Sequence, residues 1–171
     1  MTTTHSTRVP TEAEEARFWA LIESAWAACG PGAARARQAL LDRDQSGALT
    51  VESRLDTFLE RLRSLSAGLS SAELTDLDRV AERLLFRIDR EEIQEHTDGS
   101  DDGFLYCRGF ILAAGRDFYY AVDADPARAV EDAECESMPY FFAHLHNERF
   151  GDFPDTGSGI SRESATNPDG W

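Results

Sequence analysis

Apolar residues recur at helical spacing along most of this chain. Phe18, Trp19, Ile22, Ala25, Trp26 and Cys29 fall at steps of three and four, one face of an amphipathic helix. Thr11 with Glu14 has the spacing of a capping box, which starts that helix. Gly30-Pro31-Gly32 ends it, because glycine accepts a left-handed C-terminal conformation and proline has no N–H to continue the ladder. The pattern then predicts a short helix over 33–41, a polar segment over 42–50 and a third helix over 52–67, with Leu55, Phe58, Leu59, Leu62 and Leu65 inward. Ser70 and Glu73 repeat the capping box and open a fourth helix carrying Leu74, Leu77, Val80, Ala81, Leu84, Leu85 and Ile88. The acid-dense stretch 89–102 reads as a loop. Ser100 caps a fifth helix through Phe104, Cys107, Arg108, Ile111 and Leu112, which bends or breaks at Gly115 before a segment over 116–123. Asp125-Pro126 places proline in the favoured first turn of a short acidic helix reaching Cys135. Ser137 and Pro139 restart a last helix that buries Phe141, Phe142 and Leu145.

No alternation of period two is long enough to demand a strand, and no repeat of fixed length is present. The expected fold is all-α: one compact, bundle-like domain of six to eight helices over residues 11–150. Residues 1–10 read as a disordered N-terminus. Residues 151–171, mostly Gly, Pro, Asp, Ser and Thr without periodicity, read as a mobile C-terminal tail.

Charge changes the picture next. The 171 residues include 32 Asp and Glu against 17 basic residues, a formal charge of −15, and every basic residue is arginine. Such a chain is a poor phosphate-backbone binder, since that affinity comes from cations that release counterions, and it is equally unsuited to an anionic membrane surface. Ten Phe and three Trp within a 42% hydrophobic fraction suffice for a real core. Cys29, Cys107 and Cys135 are widely spaced, with no Cys-x-x-Cys pair, so neither a disulfide framework nor a thiolate zinc site is expected. The Thr-rich start lacks the apolar run of a signal peptide, and no stretch nears the ~18 to 20 apolar residues that span a bilayer. The expectation is a cytoplasmic protein with neither nucleic acid nor membrane as partner.

The run Ser100-Asp101-Asp102-Gly103-Phe104-Leu105-Tyr106-Cys107-Arg108-Gly109-Phe110-Ile111-Leu112-Ala113-Ala114-Gly115 resembles the signature S-D-D-G-F-x-x-F-R-x-W-L-I-x-x-G of the bacterial domain-of-unknown-function family DUF4240. The early Phe18-Trp19-Ala20-Leu21-Ile22-Glu23, a tyrosine at 119 or 120 and Ala124-Asp125-Pro126 are similar to that family as well. Cys107 stands where an aromatic is usual and Phe110 where Trp is usual, so the chain reads as a divergent member. The resemblance implies an all-helical fold and no particular activity.

Three features could carry chemistry. Asp101 and Asp102 fall in the first turn of a capped helix, where carboxylates favour the positive end of the dipole. Arg108 shares a stripe with Phe104 and Ile111, and a guanidinium among apolar neighbours needs a carboxylate. An internal ion pair is the plain reading. The alternative is a ligand pocket, for an enzyme or a small-molecule binder, in which Arg108 holds an anionic group, Asp101 or Asp102 acts on it and Tyr119 adds a donor.

The second feature is the run Asp42 to Ser53, which follows the opening of a calcium loop. Asp42, Asp44 and Ser46 offer oxygens, Gly47 the sharp turn, Ala48 a carbonyl and Thr50 a further oxygen. Ser53 replaces the bidentate glutamate that closes such loops, so calcium binding at millimolar strength at best is expected, with a plain surface turn preferred. Asp98, Ser100 and Asp102 echo the same opening. The third feature is acid density, at 91–102 and again at 123–136, which suits a basic protein partner through complementary potentials. Lacking a recognisable nucleophile, the chain reads as a non-catalytic protein-binding, regulatory or immunity-type accessory module.

Overall fold

The computed structural model describes residues 7–97 and 100–171, without the side chain of Gln45. Among the described residues the protein is all-α, with nine α-helices, one 3₁₀ turn and no strand.

Local signals place most helix ends. Helix α1 (Glu12–Ala27) starts at Thr11, whose hydroxyl accepts the Glu14 N–H at 3.1 Å while the Glu14 carboxylate accepts the Thr11 N–H at 3.3 Å. Helix α5 (Ser71–Arg87) starts in the same way at Ser70 and Glu73, and α7 (Asp101–Ala113) at Ser100, whose hydroxyl accepts the Gly103 N–H. Helix α2 (Pro31–Leu41) carries proline in its first turn, and α4 (Leu55–Ser66) closes before Gly68. Gly115, with φ +109°, separates α7 from α8 (Arg116–Ala124). Helix α9 (Phe141–Phe150) ends at left-handed Gly151.

Around these ends the core closes. Helix α1 packs on α4 and α5, and α5 on α7 and α9. Trp26 stacks on Phe58 at 4.5 Å and its indole donates to the Ala113 carbonyl at 2.7 Å, tying α1 to both α4 and α7. Phe18, Phe58, Phe104, Phe110 and Phe142 are fully buried.

Four expectations are corrected. The polar segment 42–50 is not a loop: α3 (Gln45–Ser53) runs through it, capped by Asp44, whose carboxylate accepts the Ser46 N–H at 3.0 Å. Gly47 lies inside this helix rather than at a sharp turn, because α3 presses on α2 there. A Cβ at Gly47 would stand 2.6 Å from the Leu40 nitrogen and 2.9 Å from the Ala36 carbonyl oxygen. The acidic stretch after α5 is not all loop, since it holds one short helix, α6 (Glu91–Gln94).

The acidic helix expected up to Cys135 shrinks to the 3₁₀ turn Pro126–Arg128, and Asp132 adopts a left-handed φ of 57°. The chain instead crosses α7 at Gly109, where a Cβ would meet the Cys135 carbonyl oxygen at 2.5 Å, and the Cys135 N–H bonds to the Tyr106 carbonyl.

The fourth correction concerns the ends. Residues 151–171 form no helix, yet they are not a free tail: they lie along α5 and α7 with Ser158, Arg162 and Asn167 buried. Composition hides this because the anchors are single polar side chains with partners far away in sequence. Residues 1–6 of the predicted disordered start lie outside the described residues. The Arg8 N–H bonds to the Gly157 carbonyl at 2.8 Å.

Candidate functional site

Helix α5 carries Asp78, Arg79 and Glu82 between its apolar residues, all three buried, and the chain just beyond it adds fully buried Asp89. Charges at such depth require partners, because desolvation of an unpaired ion costs several kcal/mol. Residues 155–171 supply them for the three acids, while the charge of Arg79 is met by Asp76 on its own helix. The Arg162 guanidinium meets Asp78 with two bonds of 2.8 and 3.1 Å, Glu82 at 3.0 Å and the Pro139 carbonyl at 2.7 Å, and it lies 4.7 Å over the Tyr140 ring. Burial works against its charge, but Asp78 and Glu82 outweigh burial and hold its pKa above the ordinary value. Glu82 also accepts the hydroxyls of Thr156 and Ser158. Arg79 donates to the Thr156 carbonyl at 2.6 Å and to Asp76 at 2.8 Å.

Further along, the Asp89 carboxylate collects three successive backbone N–H groups, from Ala165 at 2.9 Å, Thr166 at 2.8 Å and Asn167 at 3.0 Å, and the Trp171 indole at 3.0 Å. Ala165 takes a left-handed φ of 60° to aim this nest. Two open clefts flank Tyr140 and His144. One, of about 450 Å³, is bordered by Asp78, Glu82, Phe153 and Arg162. The other, of about 620 Å³ between α4 and α9, is rimmed by Asp56, Glu60 and Glu136 around Leu59 and Phe141.

The residues expected to form a ligand pocket are dispersed. Asp101 and Asp102 are exposed on the first turn of α7, while Arg108 and Tyr119 are fully buried. The Tyr119 hydroxyl donates to the Leu84 carbonyl at 2.6 Å, and burial raises its pKa well above the ordinary value. Arg108 donates to the Leu85 carbonyl at 2.9 Å and to the Ser164 hydroxyl at 3.1 Å, lies 4.8 Å over the Phe104 ring, and leaves its Nε without an acceptor. Burial lowers its pKa to about 10, with the Asp89 charge opposing the shift. The expected internal ion pair is thus replaced by a carbonyl, a hydroxyl and an aromatic face. Ser164 links Arg108 to Asp101 by donating to the Asp101 carbonyl at 2.6 Å.

The oxygens read as a calcium loop are spread along α3. Asp44 is occupied with Ser46, buried Ala48 lies within the helix, and the Thr50 hydroxyl donates to the Ser46 carbonyl at 3.0 Å, while Asp42 precedes the helix. The echo at Asp98 lies outside the described residues. Among the described residues no three His, Cys, Asp or Glu side chains gather as a metal site, and no helix is long and apolar enough to cross a membrane.

The sequence reading missed Asp78, Glu82, Asp89 and Arg162. A signal for them exists: acids at 78, 82 and 89 recur at steps of four and seven among apolar residues, and one arginine stands alone among residues 151–171.

Neither a curated protein nor a solved structure matches the chain. The family model described as protein of unknown function (DUF4240) matches residues 13–149. That match runs from the second residue of α1 to the last turn of α9 and takes in the Ser100-capped helix with Arg108, so the chain belongs to the DUF4240 family.

Proposed function

We propose that this chain is a non-catalytic protein-binding module of the bacterial cytoplasm, a regulatory or immunity-type accessory protein that docks a basic partner. The observation that supports this reading is the open cleft between α4 and α9. Asp56, Glu60 and Glu136 stand on its rim, with Tyr140, Phe141 and His144 on one wall. Arg63, the cation of the same rim, is drawn to Glu148 instead. Carboxylates beside aromatic faces suit an incoming arginine, which pairs with the acids and stacks on the rings. The formal charge of −15 adds long-range attraction to a basic surface, speeding association at low ionic strength.

The test is affinity capture from bacterial cytoplasm at low salt, with the wild-type chain and the double variant Asp56→Asn, Glu60→Gln run in parallel. A basic protein retained stoichiometrically by the wild type, released by salt and lost from the variant is the expected result. If no such protein is retained, the reading fails.

A further inference from the structure

We infer that residues 155–171 are a built-in ligand, a strap occupying a groove on the DUF4240 domain that takes an arginine-bearing, turn-forming peptide segment of a partner protein when the strap is displaced. This rests on the protein-binding reading and names the chemistry of the segment bound. The groove and its occupant divide at the edge of the family match. Asp78, Glu82, Asp89 and Arg108 lie inside residues 13–149, and every strap residue that meets them lies outside.

The strap is held as a ligand is held. Residues 151–171 add no fully buried side chain to the apolar core, whose last member in sequence is Leu145, and reach it only by the edge of the Trp171 ring on Phe104. Their buried side chains, Ser158, Arg162 and Asn167, are polar. Around Arg162 the domain offers a complete guanidinium receptor: a two-pronged carboxylate, a second carboxylate, a carbonyl and an aromatic face. At Asp89 it reads three successive backbone N–H groups, which the turn at left-handed Ala165 brings to one side and which depend on the path of the backbone rather than on its side chains.

Between these two points the fit is incomplete. Arg108 receives only a serine hydroxyl from the strap, and its buried Nε finds no acceptor. Buried donors are rarely left so, and a segment with a better acceptor at that place would displace the strap to advantage.

Attachment that is mostly polar, with one partly buried ring at Trp171, also marks a unit that opens by itself, ahead of the rest of the fold. Hydrogen exchange on the isotope-labelled full chain tests this, with a synthetic unlabelled peptide of residues 155–171 added in trans. The amides of Ala165, Thr166 and Asn167 should exchange roughly a hundredfold faster than those of Leu84 and Leu85, and faster again with excess peptide. Labelled peptide should bind an Arg162→Ala chain at least about tenfold more tightly than wild type, and Asp78→Asn with Glu82→Gln in that background should abolish the gain.

Arg162→Lys serves if the alanine variant does not fold, since it keeps the charge and loses the two-pronged bond. Strap amides that exchange only at the rate of α5, or that ignore the peptide, overturn the inference. The α4–α9 cleft variants leave the groove untouched. A partner lost from them while the strap stays fixed would keep the protein-binding reading and remove this one.

Discussion

Asp89 and Arg108 are both fully buried, but the consequences of losing each differ sharply. Asp89→Ala leaves three backbone N–H groups without their acceptor, leaves the Trp171 indole only the carbonyl of residue 89, and removes the charge that favours the Arg108 cation. A loss of about 3 to 5 kcal/mol in urea unfolding is expected. Arg108→Met removes a cation whose burial already disfavours it and fills a similar volume, so a change within about 1.5 kcal/mol is expected.

The thiols give a second contrast. Cys135 is buried and its pKa is pushed up to about 12 by that burial, whereas Cys29 is partly exposed. A thiol reagent at pH 8 should label Cys29 first, with Cys107 and Cys135 labelled only on unfolding. Because the folded state holds the Cys135 proton more tightly than the unfolded state, its contribution is complete below pH 9. It should fade as pH rises from 9 towards 12, and Cys135→Ala should flatten that fall in stability.

At the scale of elements, what the sequence revealed was local. The capping boxes at Thr11 and Ser70 and the cap at Ser100 are each written within four residues, and all three form. Helix α3 was not legible, because Asp-x-Asp-x-Ser-Gly spacing is shared by a loop and by a capped helix. Only the packing of α3 on α2 decides between them. Gly47→Ala tests that contact: despite the better helix propensity of alanine, the Cβ meets backbone, and a loss of about 1 to 3 kcal/mol is expected in thermal or urea unfolding. A flexible surface loop would instead tolerate the change. The strap was illegible for a related reason. Its bonds to Asp78 and Asp89 join residues 76 to 84 apart, as from Asp89 to Ala165 and from Asp78 to Arg162, and a period reveals nothing about such pairs. The four residues predicted as one pocket share a helix stripe or a neighbourhood in sequence, but the fold sends the aspartates outward and the arginine inward.

Over the whole molecule, acids outnumber arginines by nearly two to one, and many arginines are already committed to internal partners such as Asp78, Asp123 and Glu23. The remaining negative charge repels itself in the compact state. Moderate sodium chloride should therefore raise the melting temperature by a few degrees through screening, while slowing capture of a basic partner. A melting temperature that falls with salt would show that the ion pairs, rather than the net charge, dominate.

The order of synthesis gives the strap one more meaning. A ribosome makes the chain from its N-terminus, and the helical domain has received its last core side chain, Leu145, before Arg162 or Trp171 is joined. The newborn domain can therefore collapse with Asp78, Glu82, Asp89 and Arg108 still bathed in water. Their cover is joined to the chain only after them. On the inference above, the groove is thus complete in sequence before its own cover is, and a partner's segment competes for it from the earliest stage of folding.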